Sequence, residues 1–147
     1  MRIYITTKIN QKPDRVFSLF NKELFLALVP PGLKVQLLRF DGCKTGDEVH
    51  LLIKFPFAEQ KWFSKITAHS FSDSNYSFID EGIELPFFIK QWKHIHTVKS
   101  GESDNCSEII DDISFESGSI IIGWLVYPFL YFTFLYRRPI YKQFLDV

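Results

Sequence analysis

Seventeen consecutive residues, Ile120 to Tyr136, carry no charge. Such a run has to leave water, either within a protein or within a bilayer. At helical rise it reaches about 26 Å, short of the ~30 Å hydrocarbon core. Trp124, Tyr127 and Tyr131 fall mid-run, whereas such aromatics favour the interfaces. Stable membrane insertion is therefore not expected, and the rest of the chain must supply the burial. Further on, Tyr136, Ile140 and Phe144 recur at spacing four, with Arg137, Arg138, Lys142 and Asp146 off that line. One long terminal helix is predicted, buried first and amphipathic later. Pro128 and Pro139 predict a kink, a break or a later start.

What precedes that helix is mostly β. Ile3, Ile5, Thr7 and Ile9 alternate with polar residues, the period of a half-buried strand. Pro13 opens a helical stretch with Val16, Phe17 and Phe20 on one face, and Lys22 to Leu28 reads as a second short helix stopped by Pro30, Pro31 and Gly32. Strands are predicted over 34–40, 48–55, 60–70, 75–81, 88–99 and 107–116, joined by short turns that imply an antiparallel meander. On the fourth of these seven strands Trp62, Ser64, Ile66 and Ala68 share a face.

At 147 residues the chain is read as a single domain over 1–147, with enough length to bury a core without disulfides or metals. A formal net charge of zero provides no field for nucleic acid, so none is expected as a partner. Cys43 and Cys106 are too few for a disulfide framework, and the first ten residues have no apolar signal segment. Free thiols in a cytoplasmic protein are expected.

The chemistry concentrates in one strand. Trp92, His94 and His96 alternate, so an indole and two imidazoles point to one face. Lys90 falls on that face and is expected at a pocket mouth or sheet edge. On the next strand Ile109, Asp111, Ile113 and Phe115 share a face, which allows Asp111 to hydrogen-bond a histidine across the pair. Such a pair fixes register in a satisfied core, contacts a ligand, or works as acid and base. His-x-His on a strand needs a third ligand to hold a metal, and no metal is assigned. No nucleophile motif or phosphate loop accompanies these residues, so no cofactor is expected.

The order of elements resembles the START-like superfamily, also called SRPBCC, helix-grip or Bet v 1-like. Locally the chain is similar to a bacterial ligand-binding branch that includes the domain fused to epimerase-like proteins of the cell-division-inhibitor type. The positions that carry this likeness are Phe78 and Asp80, Pro86-Phe87, Trp92-His94-His96, Asp111-Ile113-Phe115 and Tyr136-Arg137. Leu85 stands where the motif has glycine. The resemblance implies an α+β helix-grip fold: a seven-stranded antiparallel sheet wrapped around the C-terminal helix, with two short helices after the first strand.

It further implies a cavity between sheet and helix. Its walls are expected from Trp62, Ile66, Phe78, Trp92, Ile109, Ile113 and Phe115 on the sheet, and from Ile121, Trp124, Leu125, Phe132 and Tyr136 on the helix. The ligand-contacting set expected is Trp62, Phe78, Trp92, His94, His96, Asp111, Phe115 and Trp124. The partner would be a hydrophobic small molecule such as a lipid, polyketide-like or isoprenoid compound, bound or carried without chemistry. The alternative is a cyclase- or dehydratase-like enzyme using His94 or His96 with Asp111. Arg137 is expected to cap or pair at the surface.

Overall fold

The computed structural model describes residues 1–146. The chain runs β1 (Arg2–Ile9), α1 (Pro13–Ser18), α2 (Lys22–Ala27), β2 (Lys34–Phe40), β3 (Glu48–Lys54), β4 (Glu59–Ser72), β5 (Asn75–Glu84), β6 (Gln91–Ser100), β7 (Ser107–Glu116) and α3 (Ile120–Leu145). The strands form one antiparallel sheet in the order β1-β7-β6-β5-β4-β3-β2. The two edge strands are thus consecutive in sequence. The chain crosses from one edge to the other through α1 and α2, and α1 packs on β5, β6 and β7.

Local chemistry starts and stops these elements. The Asn21 side chain accepts a hydrogen bond from the Leu24 N–H at 2.9 Å and caps α2, and Ser119 does the same for α3 through Ile122 N–H at 3.2 Å. The N-terminal ammonium donates to the Phe115 carbonyl at 2.7 Å, tying β1 to the end of β7. Gly46 takes φ +97° in the β2–β3 turn, a conformation open to glycine.

α3 is a continuous helix through Pro128 and Pro139 rather than a broken one. Both prolines are exposed, and eleven residues apart they lie on the same outer stripe. Each missing N–H frees a carbonyl one turn earlier on that wet side, where solvent can satisfy it.

The face that α3 turns to the sheet differs from the expected one. Gly123, Leu130, Phe134, Tyr141 and Leu145 are buried. Ile121, Trp124, Leu125 and Phe132, expected against the sheet, are 64–72% exposed. The run is apolar on every side, so hydropathy alone could not choose the inward stripe. Gly123 helps to choose it: a Cβ there would meet Ser117 Oγ at 2.8 Å and Met1 Cε at 2.9 Å, so the bare backbone sits against Met1, just before β1, and Ser117, just after β7. α3 is also the one helix among the described residues long and apolar enough to cross a bilayer, and here its inner stripe is gripped by the sheet.

β4 holds a second departure. Its register shifts between Ile66 and Ala68, a bulge that reverses which residues face inward. Trp62, Ser64 and Ile66 face the interior, while Ala68 is exposed and Phe71 packs on Phe17 and Tyr76. β6 begins at Gln91, so Lys90 lies in the preceding turn, exposed.

Two apolar cores result. One groups Ile3, Ile5, Trp92, Ile113, Phe115, Leu130 and Phe134; the other groups Ile9, Val16, Leu24, Val98, Ile109, Tyr141 and Leu145. Between them, the same four elements each change to a polar residue. β1 contributes Thr7, β6 contributes His94 and His96, β7 contributes Asp111, and α3 contributes Arg137.

Candidate functional site

The centre of this polar layer is set by strand register. Asp111 lies directly opposite His96 and one diagonal step from His94, which pairs with Ile113. Asp111 Oδ1 lies 2.9 Å from His94 Nε2 and 3.0 Å from His96 Nδ1. All three residues are buried. Burial alone would raise the Asp111 pKa, but the hydrogen bonds from the two imidazoles outweigh it and hold the carboxyl well below the usual carboxylate range. An ionised carboxylate only accepts, so both facing ring nitrogens carry their hydrogens. Burial pushes the His96 pKa down despite Asp111. His96 is thus a neutral ring with its Nδ1–H anchored and its Nε2 lone pair free. That Nε2 is buried without a hydrogen-bond partner.

A second carboxyl sits on β5, where Asp80 pairs with His94 in register. Trp92 Nε1 donates to Asp80 Oδ2 at 3.3 Å, and Oδ1 has no partner. Burial raises the Asp80 pKa, opposed in part by Ser64, His94, Trp92 and Arg137. Arg137 lies over the Phe134 ring at 4.1 Å, and its Nε is buried and unpaired. The Tyr141 hydroxyl is fully buried, near enough to Asp111 and Arg137 for both to bear on it, and makes no well-formed hydrogen bond. Burial, then Asp111, push its pKa far up, so it stays a neutral hydroxyl.

These groups meet at a partly open cavity of about 190 Å³. Asp80, His94, His96, Arg137 and Tyr141 line one part of it. Most of the remainder is apolar: Leu24, Phe25, Leu28 and Leu33 from the α2–β2 region, Val35, Val49, Leu51 and Ile53 from β2 and β3, and Trp62, Phe78, Trp92, Phe129, Leu130 and Phe134. Cys43 also reaches the wall, and burial pushes its thiol up to about 12, away from reactivity. Both cysteines are free.

Superposition on solved structures decides the fold. The chain matches the Zhui aromatase/cyclase from Streptomyces sp. R1128 with a TM-score of 0.71 at 10% identity, over 96% of this chain and 90% of that one. A START superfamily protein from Mycobacterium smegmatis gives 0.68 at 9% identity, over 99% and 97%. Norcoclaurine synthase from Thalictrum flavum, in complex with dopamine and hydroxybenzaldehyde, gives 0.67 at 10%, over 97% and 84%. This is the helix-grip fold of START-like proteins. No family model matches the sequence, and no curated protein does either.

Within the helix-grip frame, five of the eight expected contact residues reach the cavity wall: Trp62, Phe78, Trp92, His94 and His96. Three do not. Asp111 lies off the cavity wall and is hydrogen-bonded to both histidines from the neighbouring strand. Phe115 is 2% exposed inside the first apolar core, below the helix start. Trp124 is 67% exposed on the outer side of α3. The helix-grip interior uses Arg137 and Tyr141 instead, because the inward stripe runs 130, 134, 137, 141 rather than 136, 140, 144. Leu130, Phe134, Tyr141 and Leu145, at spacings of four, seven and four, form that stripe, but the flanking faces are equally apolar and hid it in the sequence. Asp80 was legible by contrast, since it shares strand parity with Phe78. The side-chain atoms of His94, His96 and Asp111 lie within 4.8 Å of one another, close enough to hold a cation. Such an ion would have to displace both histidine hydrogen bonds to Asp111.

Proposed function

We propose that this chain binds and carries a compact hydrophobic small molecule inside the helix-grip cavity, as a soluble, cytoplasmic, single-domain carrier or sensor. One observation carries the reading: about 190 Å³ of interior space lined mainly by apolar side chains under α3. Sequences fill such space when only stability is at stake, because each void forfeits packing. Apolar cavities near 150 Å³ accept a benzene-sized guest, so the size favours one or two rings or a short branched chain over a long lipid. Titrating delipidated protein with an apolar fluorescent probe, and native mass spectrometry of fresh protein, test the reading. Saturable binding supports it, and no binding to folded protein ends it.

A second reading is favoured by His96. A neutral imidazole whose Nδ1–H is fixed on an ionised carboxylate, with its other nitrogen free, is arranged as a general base. This suits cyclase- or dehydratase-like proton transfer on a carbonyl compound. Turnover of such a substrate that survives in both His94→Ala and His96→Ala would refute it.

A further inference from the structure

We propose that the polar layer at the cavity wall is a seat for one neutral hydroxyl group, so that the ligand is an alcohol or phenol on a compact apolar body. The inference rests on the cavity-binding reading above and adds the ligand's polar chemistry to it.

Four side chains around one cavity each hold a buried polar atom with no partner: Asp80 Oδ1, His96 Nε2, Arg137 Nε and Tyr141 OH. Buried polar groups are paired in the great majority of cases, and an orphan costs its full desolvation. Four orphans on one wall point to an absent partner. Their polarity identifies it. His96 Nε2 can only accept, since Nδ1 carries the proton toward Asp111. Arg137 Nε can only donate. The Tyr141 hydroxyl does either. A partner that answers His96 and the donors opposite it must give one hydrogen and accept at least one. A hydroxyl oxygen does so: it donates to His96 and accepts from Arg137 or Tyr141.

Charge separates this from the alternatives. Asp111 is already a buried anion behind the same wall, and Asp80 is held toward its neutral form. A ligand carboxylate would be welcome to Arg137 but would place a further anion near Asp111 and Asp80 in a low-dielectric space. It also brings no hydrogen for His96. A hydrocarbon leaves all four orphans as they are. Water could fill the same seat, and a ligand hydroxyl would displace it while reproducing its hydrogen bonds.

The test uses three probes of similar shape on delipidated protein at neutral pH: 2-naphthol, 2-methylnaphthalene and 2-naphthoate. Quenching of the two wall tryptophans, Trp62 and Trp92, or calorimetry gives each Kd. The expected result is 2-naphthol binding about tenfold or more tighter than either of the others. Tyr141→Phe keeps the buried ring and removes a hydroxyl that makes no well-formed hydrogen bond; with the fold checked by circular dichroism, it should shrink that preference to about threefold or less. Equal affinity of 2-naphthol and 2-methylnaphthalene in the unmodified protein would overturn the hydroxyl seat and leave the cavity reading standing. Tightest binding of 2-naphthoate would overturn it in favour of an anion site. Binding of none of the three would remove both.

Discussion

Asp111 and His96 face each other across the β6–β7 ladder, and the 3.0 Å contact between them leaves His96 Nε2 as the ring nitrogen without a partner. The same Asp111 oxygen holds His94 at 2.9 Å. One carboxylate on β7 therefore orients two imidazoles on the neighbouring strand β6.

Removing that carboxylate is costly. Asp111→Asn keeps the shape but replaces an anion that accepts twice with an amide that also brings two donors of its own. It is expected to lose about 3 kcal/mol of stability. Urea unfolding followed by tryptophan fluorescence checks this, with the midpoint falling and the slope unchanged. A loss below about 0.5 kcal/mol would show that the histidines are held by other means.

The buried groups also set a pH profile. His96 has a folded pKa below its ordinary 6.5, so around and below that pH the unfolded chain binds more protons and stability falls as pH falls. Asp111 has a folded pKa below its ordinary 3.8; its contribution is present above that value and is lost on further acidification. Asp80 has the opposite sign. Its folded pKa is raised, so its contribution is full below 3.8 and is lost as pH rises through the folded value. Asp80→Asn should therefore be more stable than the parent protein at neutral pH and equal to it in acid. Thermal melts from pH 2 to 8 separate the two carboxyls, Asp80 changing stability above 3.8 and Asp111 below it. An Asp80→Asn protein destabilised at neutral pH would show that the ionised form is needed.

Trp92 belongs to both core and cavity. It meets Trp62 edge-on at 4.8 Å and Phe134 at 5.9 Å, and it holds Asp80 through its indole N–H. Trp92→Ala is expected to cost about 3 kcal/mol, the lower end for such a truncation, because one side of the ring already meets empty space. The enlarged cavity should accept a bulkier apolar probe than the parent protein does. Unchanged probe selectivity would place Trp92 outside the binding space.

Much of this was legible beforehand, for identifiable reasons. Parity holds along an unbroken strand, so Trp92, His94 and His96 could be placed on one face from spacing alone, and a hydrogen bond from one histidine to Asp111 followed if the neighbouring strand faced the same way. Helix orientation was not legible in the same way. Between Ile120 and Tyr136 every face is apolar, and the inward stripe is selected by tertiary features, such as the close approach of Gly123 to Met1 and Ser117. The error carried forward: an inward line through Tyr136 placed Arg137 at the surface and left Tyr141 unnoticed. The bulge after Ile66 was hidden similarly, since nothing in Thr67 or Ala68 marks a change of parity.

The two sides of α3 yield the most direct check on the architecture. Leu130 is 3% exposed between β1 and the cavity, and Leu130→Ala is expected to cost about 3 kcal/mol. Phe132, two residues on, is 64% exposed, and Trp124 lies on the same outer side. Phe132→Ala and Trp124→Ser should each change stability by less than about 0.5 kcal/mol, since neither leaves a void. Denaturant midpoints for the three variants decide the matter. A large loss at Trp124 with none at Leu130 would mean that the helix grips the sheet by its other side, and the polar seat formed by Arg137 and Tyr141 would then no longer face His96.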